Sequence, residues 1–299
     1  MRVVLFGGAG FIGRHLAAEL AGAGHSITVI TRDRESAKRD LILLPNTDVI
    51  AADYNAPNAA YRALAGADSA VNLIGILHER RRGAFERTHC EMPRLLADAC
   101  AAAGVRRFVQ LSALGASLSA PSGYLRSRAK GEQIARDKPG VSGTIIRLPV
   151  VFGEGDSFIN LFAALARHLP FLFLPCARAV MQPVAVGDVS AFVRRILEGG
   201  DYDGRVLSAG GPEVFTLAEI VGAVADAIGK PRPVIPLGNS SSRLVGHLAD
   251  WLPFVHPPIS ADNCLSAMVP GVCPRGGNDA AKLLGDLTSL RAGLAAMFG

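Results

Sequence analysis

Short, almost wholly apolar runs alternate along this chain with stretches whose apolar residues recur three or four positions apart. Val3-Val4-Leu5-Phe6, Ile27-Thr28-Val29-Ile30, Val49-Ile50-Ala51, Ala70-Val71-Asn72-Leu73-Ile74, Phe108-Val109-Gln110-Leu111 and Thr144-Ile145-Ile146-Arg147-Leu148 read as strands. Ala- and Leu-rich segments of helical period separate them, the first marked by Ile12, Leu16 and Leu20 and ended by Gly22 and Gly24. Regular alternation of this kind predicts a parallel sheet, since parallel neighbours need helical crossovers. The strands are apolar on both faces, so helices should cover the sheet on both sides. The fold class expected is α/β: a doubly wound parallel sheet with a smaller C-terminal α/β lobe.

The texture shifts after Gly153 to a Phe-, Leu- and Pro-rich stretch, Phe158 to Pro175, followed by one more strand-and-helix unit around Val184 to Leu197. The division that follows is a sheet domain over 1–153, with a returning unit near 183–198, and a lobe made of 154–182 and 199–299. In the lobe, Thr216 heads a helix through Leu217, Ile220, Val221, Val224 and Ile228, with Glu219 completing a capping box and Gly229 closing it. Leu244, Leu248, Trp251 and Leu252 form an apolar stripe at helical spacing, which reads first as packing and second as a partner or lipid surface. The low polarity of Phe158 to Leu174 points to an apolar pocket for any substrate.

With 49% hydrophobic residues in 299, the chain buries a large core and disorder is excluded. A net charge of +5 is modest and comes partly from Arg80-Arg81-Arg82, read as a solvated loop, so nucleic acid is not an expected partner. No run is long and apolar enough to span a bilayer, and the start lacks the basic-then-apolar order of a secretory signal. A cytoplasmic protein is expected, with peripheral docking at the inner membrane left open. Five cysteines, Cys90, Cys100, Cys176, Cys264 and Cys273, are odd in number and lack a C-x-x-C pair. That argues against a disulfide framework and a zinc site; reduced, mostly buried thiols and no metal are expected.

Ligands of such sheets lie beyond the carboxyl ends of the strands, where this chain places Gly7, Thr31-Arg32, Asp53, Gly75 and Ser112. Gly7-x-x-Gly10-x-x-Gly13 sits directly between the first strand and first helix. Glycines there let the backbone approach a pyrophosphate, and the helix N-terminus at Phe11, Ile12 and Gly13 supplies N–H donors and a positive dipole end. This is the fingerprint of a Rossmann-type dinucleotide site. Arg32 follows the second strand and Arg14 follows the last glycine, cations suited to the extra phosphate of NADP(H), which is favoured over NAD(H). Asp33 is the contrary sign, at about the 20-residue spacing of an NAD carboxylate.

Ser112 at a strand end and Tyr124 further on, with the glycine motif, Asp53 and Asn72-Leu73-Ile74-Gly75, resemble the atypical and extended short-chain dehydrogenase/reductase superfamily. That resemblance implies Tyr124 as general acid or base, Ser112 as its catalytic companion, Gly75 in the cofactor site, and Asp53 at the adenine, although a turn or helix-cap aspartate is nearly as good a reading of Asp53. It also implies a lysine four residues after the tyrosine, one helical turn on, to lower the phenol pKa and bind the nicotinamide ribose. This chain has Arg128 there. Lys130 is six residues on and points about 120° away. Arginine holds hydroxyls and offsets charge, but it does not shuttle a proton.

A narrower resemblance rests on Leu5 to His15, Val71 to Leu77, Ser112 to Ala116, Gln182 to Val189, Gly210-Gly211-Pro212 and Asp262-Asn263-Cys264. These blocks are similar to the subfamily of the NADPH-binding accessory subunit of respiratory complex I and its bacterial relatives, often labelled NAD-dependent epimerase/dehydratase. It implies a tightly held nucleotide, weak or absent catalysis, and respiratory complex I or a membrane-associated partner. The alternative is an active NAD(P)-dependent epimerase, dehydratase or reductase that uses Tyr124 on a small or lipid-like substrate. Arg147-Leu148-Pro149 departs from the subfamily, in which proline directly follows the arginine.

Overall fold

The computed structural model describes residues 1–53, 58–79, 81–237 and 260–299. Strands β1 (Arg2–Phe6), β2 (Ser26–Thr31), β3 (Thr47–Ala51), β4 (Ser69–Asn72), β5 (Arg107–Ala113) and β6 (Ser142–Leu148) alternate with helices. These are α1 (Phe11–Gly22), α2 (Arg34–Leu41), α3 (Ala59–Leu64), α4 (Ala84–Glu86), α5 (Met92–Ala103) and α6 (Gly123–Arg136), with a π-helical turn at Arg87–Glu91 joining α4 to α5. A seven-stranded sheet results, ordered Val206–Ser208, β6, β5, β4, β1, β2, β3, with every neighbouring pair parallel. This is the doubly wound Rossmann-type fold expected from the alternating pattern.

Val3, Val4, Leu5 and Phe6 of β1 are all fully buried, as a strand covered on both faces requires. Leu16 and Leu20 of α1 pack with Val189, Phe192 and Val193 on one side, and Leu96, Cys100, Phe108 and Ile145 fill the other. A third core, around Phe152, Ile159, Phe162, Leu217, Ile220 and Leu290, holds the C-terminal lobe together. Its helix Leu217–Ala227 opens on the Thr216–Glu219 capping box, and Gly229 follows it at φ +66°. No described helix is long and apolar enough to cross a membrane. All five cysteines are free thiols, with Cys90, Cys100 and Cys264 buried.

Several details depart from the pattern-based reading. β4 ends at Asn72, before Leu73 and Ile74, because the Asn72 Oδ1 accepts the Ile74 N–H at 3.1 Å and turns the chain out of the ladder. The returning unit does not enter the main sheet by its strand: Val184–Ala185 pairs with Val151–Phe152 in a separate ladder. Its helix, Val186–Glu198, packs along α1 instead. One edge strand of the main sheet, at the opposite edge from β3, is Val206–Ser208, within the stretch grouped by composition with the lobe. Three residues are too few for periodicity to register. The Leu244, Leu248, Trp251 and Leu252 stripe lies outside the described residues, as does Arg80.

The C-terminal part is tied to the start of α6 by one carboxylate. Asp262, on the helix Ala261–Ser266, accepts the Gly123 N–H on Oδ1 at 2.6 Å and the Tyr124 N–H on Oδ2 at 3.0 Å. Those are orphan donors of a helix N-terminus, where an anion also meets the positive dipole end. Asp262→Ala should therefore lower stability by about 1–2 kcal/mol. In thermal unfolding that is a fall of roughly 2–8 °C, with Asp262→Asn falling between the two proteins.

Candidate functional site

The turn between β1 and α1 is built from close backbone contacts. Gly7 lies at φ +79°, and a Cβ on it would meet the Ile74 Cγ1 at 3.0 Å and the Ile74 nitrogen at 3.3 Å. A Cβ on Gly13 would lie 2.5 Å from the Gly8 Cα and carbonyl oxygen, so α1 packs directly on the turn. The Gly10 N–H donates to the Gly7 carbonyl at 3.0 Å, and Gly10 enters α1 with extended backbone and no side-chain cap. The first turn of α1 has no acidic residue, which leaves Phe11, Ile12 and Gly13 at an uncapped positive helix end. The glycines at 7 and 13 let the chain close tightly on itself, and the uncapped helix start that this fixes fits a pyrophosphate.

At the end of β2, the Thr31 hydroxyl accepts the Asp33 N–H at 3.2 Å and closes a tight turn around Arg32. Arg32 is exposed and, among the described residues, makes no hydrogen bond or ion pair. Arg14 is differently placed. Its Nη2 donates to the Glu154 carbonyl at 3.1 Å, and its Nη1 lies 3.7 Å from the Asp40 carboxylate. Its guanidinium lies against Gly155, in the space a Cβ there would need. Arg14 thus braces the turn after β6 against α2, and Arg32 is the cation left free. Asp53 is exposed just beyond β3.

The ends of β4 and β5 meet α6. The buried Asn72 amide donates to the Gln110 Oε1 at 2.7 Å, which locks the β4 exit so that Ile74 and Gly75 run past the glycine turn. Arg128 crosses to this exit: its guanidinium rests on Gly75, its Nη1 donates to the Leu111 carbonyl at 3.3 Å, and its Cζ lies 5.4 Å from the Tyr124 ring centroid. The Arg128 Nε is buried with no partner. An orphaned donor of this kind beside a glycine cradle fits a ligand rich in hydroxyl acceptors. Among the described residues the Tyr124 hydroxyl has no hydrogen-bond partner either. Lys130 points to the outer face and meets Glu86 at 3.5 Å, so arginine is the cation on the tyrosine face.

Pattern reading missed three features: the Glu132 carboxylate, its pairing with Arg147, and His89. Ser112 donates its proton to Glu132 Oε1 at 2.6 Å, and Arg147 grips that carboxylate through Nε at 2.9 Å and Nη2 at 2.6 Å. The Glu132 hydrogen bond raises the Arg147 pKa, and both Glu132 oxygens are taken up as acceptors, Oε1 by Ser112 and Arg147 and Oε2 by Arg147. The spacing Tyr124, Arg128, Glu132 places all three on one face of α6, and that was the signal available. His89, in the π-helical turn, is the third feature. Its ring stacks on Phe85 with centroids 5.4 Å apart and stands edge-on to Tyr124 at 5.6 Å.

Because the Ser127 hydroxyl donates to the Tyr124 carbonyl at 2.7 Å, it accepts the His89 Nδ1–H at 2.8 Å. The Ile76 N–H in turn fills the His89 Nε2 lone pair at 3.2 Å. This network assigns the neutral Nδ1–H tautomer. Burial, and then the nearby Arg128 charge, lower the His89 pKa to about 2.

Comparison with known proteins adds an independent set of findings. A family model described as the NAD dependent epimerase/dehydratase family matches residues 3–210. The mitochondrial NADH dehydrogenase (ubiquinone) 1 alpha subcomplex subunit 9 of Arabidopsis thaliana is 30% identical over 264 residues, 85% of this chain and 65% of that protein. A ceramide reductase of Caulobacter vibrioides is 31% identical over 265 residues, covering 86% of this chain and 80% of that one. The solved structure of an epimerase from Methanothermobacter thermautotrophicus superposes with a TM-score of 0.79 at 17% identity, over 99% of this chain and 90% of that chain. At that identity the likeness shows the fold.

The His89 network makes a pH-dependent prediction. The unfolded chain takes up a proton at this ring near its ordinary pKa of 6.5, while the folded ring refuses it until about 2. Its contribution to stability is therefore full above pH 6.5 and declines as pH falls between those values, by about 1.4 kcal/mol per pH unit. Urea unfolding across this range should show a slope steeper in the wild type than in His89→Asn by about that amount. Equal slopes in the two proteins would reject the neutral, buried ring.

Proposed function

The chain belongs to the NAD dependent epimerase/dehydratase family, and from that premise we propose that it is an NADP(H)-binding protein of the short-chain dehydrogenase type in which tight binding has outlasted efficient turnover. The single observation that carries this reading is the commitment of the Ser112 proton to Glu132. Polarising a carbonyl at the strand end takes donors, and Ser112 offers only lone pairs while both Glu132 oxygens are occupied by Ser112 and Arg147. The Tyr124 phenol is the remaining donor. Its neighbouring cation is Arg128, which stays charged at ordinary pH and does not pass a proton on.

Binding groups are complete where acid–base groups are not. The uncapped start of α1 and Gly7 and Gly10 hold the pyrophosphate, and Arg128, through its orphaned Nε, holds ribose hydroxyls. When bound, the nicotinamide supplies a hydride donor or acceptor. Arg32, exposed and without a partner among the described residues, selects the extra phosphate of NADP(H) over the bare ribose of NAD(H). A ligand held this way stabilises the native state by mass action and keeps a docking module folded. Docking on a membrane-bound assembly is supported by the relatives named as complex I subunits, the first of which this chain matches over 65% of its length.

A second reading, an active NADP-dependent reductase, epimerase or dehydratase of a lipid-like substrate, is favoured by the unpartnered Tyr124 hydroxyl. The relative named a ceramide reductase, matched over 80% of its length, supports it too.

Calorimetry should find NADP(H) bound more tightly than NAD(H), with Arg32→Glu removing the preference. Equal affinities in the wild type would reject the assignment. Turnover with NADPH and a panel of quinones, ketones and amides should stay below about one per second. Arg128→Lys should raise any such rate about tenfold or more without changing pyrophosphate binding. Wild-type turnover at ordinary enzyme rates, lost in Tyr124→Phe, would replace the first reading with the second.

A further inference from the structure

In the C-terminal lobe the strands Leu172–Leu174 and Val234–Pro236 pair in parallel, with Leu172 opposite Val234 and Phe173 opposite Ile235. Leu172 and Leu174 enter the lobe core. By the two-residue period of a strand, Phe171 and Phe173 point the other way, and they are 45% and 59% exposed. Their rings meet edge to face at 5.5 Å, so they form one aromatic ridge. Leu169 and Ile235, 42% and 38% exposed, extend it. The low polarity of Phe158 to Leu174, expected to line a pocket, is in this part turned outward.

The ridge is framed by cations that lack carboxylates. The sequence has no Asp or Glu between Asp156 and Asp188, and none from Ala227 to Leu237. Arg167, His168 and Lys230 are exposed. Arg232 donates through Nε to the Ala166 carbonyl at 3.0 Å, which places it at the end of the helix beside the ridge. Among the described residues none of Arg167, Lys230 and Arg232 forms an ion pair, whereas Arg107, Lys130, Lys138, Arg147, Arg194 and Lys282 each meet a carboxylate.

We infer that this face is a docking surface for a membrane leaflet containing anionic phospholipid. Phe171, Phe173, Leu169 and Ile235 enter the acyl boundary, and Arg167, Lys230 and Arg232 meet the headgroup phosphates. Charge decides the partner. A second copy joined through the same patch would set these cations against their own equivalents, and aliphatic Leu169 and Ile235 beside the two rings suit an acyl boundary better than a row of stacked bases. The inference is independent of the nucleotide reading, since none of these residues belongs to that site.

Co-sedimentation of the full chain with phosphatidylcholine vesicles, with and without phosphatidylglycerol, tests it. Wild type should pellet with the anionic vesicles only and be released by salt. Phe171→Ser/Phe173→Ser and Arg167→Glu/Lys230→Glu should each weaken that binding about tenfold or more, with nucleotide affinity and melting temperature unchanged. No pelleting with anionic vesicles, equal pelleting with both kinds, or wild-type binding by both variants would overturn the proposal. A dimer abolished by the phenylalanine pair, without vesicle binding, would assign the face to a second copy. Tighter binding to single-stranded RNA than to vesicles would assign it to nucleic acid.

Discussion

α1 lies against the turn that launches it so closely that no side chain fits between them: a Cβ on Gly13 would come within 2.5 Å of the Gly8 backbone. That contact fixes the direction in which the helix N-terminus points, and with it the position of every donor in the cradle. Gly7 does the same on the other side, where its close approach to Ile74 requires the β4 exit to be held in one course. The exit is held by Asn72, buried in the sheet, through its side-chain bonds to Ile74 and Gln110. A buried polar pair is tolerated there because both amides are bonded. The nucleotide cradle thus rests on two backbone approaches and one pair of amides.

α6 divides its work by helical period. Tyr124, Arg128 and Glu132 share the face toward the sheet ends, while Lys130 lies on the outer face with Glu86. On the inner face, charge is arranged in two separate groups. Arg128 stacks over the Tyr124 ring and reaches the β4 and β5 ends, and Glu132 is spent on Arg147 and Ser112. A buried carboxylate held by a bidentate arginine is stable only as a pair, and Ser112 adds a third hydrogen bond to the two from Arg147. The same arrangement that steadies the strand ends removes a proton donor from the site.

The lobe is joined to this machinery by polar contacts at helix starts. Asp262 caps α6 beside Tyr124, and the Asp188 carboxylate, in the first turn of the helix that packs on α1, accepts the Thr288 N–H at 2.8 Å. Residues far apart in sequence therefore meet at the starts of these two helices. His89 adds a neutral, hydrogen-bonded wall against Tyr124, in a π-helical turn that the chain's periodicity did not disclose.

The alternating apolar runs, the glycine spacing and the capping box were legible in the sequence because each is a local constraint. A strand buried on both faces must be apolar throughout, a turn at φ +79° favours glycine, and Thr216 with Glu219 satisfies a helix end within one turn. The same local logic placed Arg128 on the tyrosine face and excluded Lys130. Only tertiary structure decided that Val206–Ser208 completes the sheet, that Arg14 braces the turn after β6 while Arg32 stands free, and that Ser112 donates to Glu132. These depend on which distant groups meet. Ser112 and Arg147 are opposite each other across β5 and β6, and Glu132 arrives from a helix between them in sequence. Period and spacing determine which face a side chain occupies, whereas the partner waiting on that face comes from a crossover that no local pattern encodes.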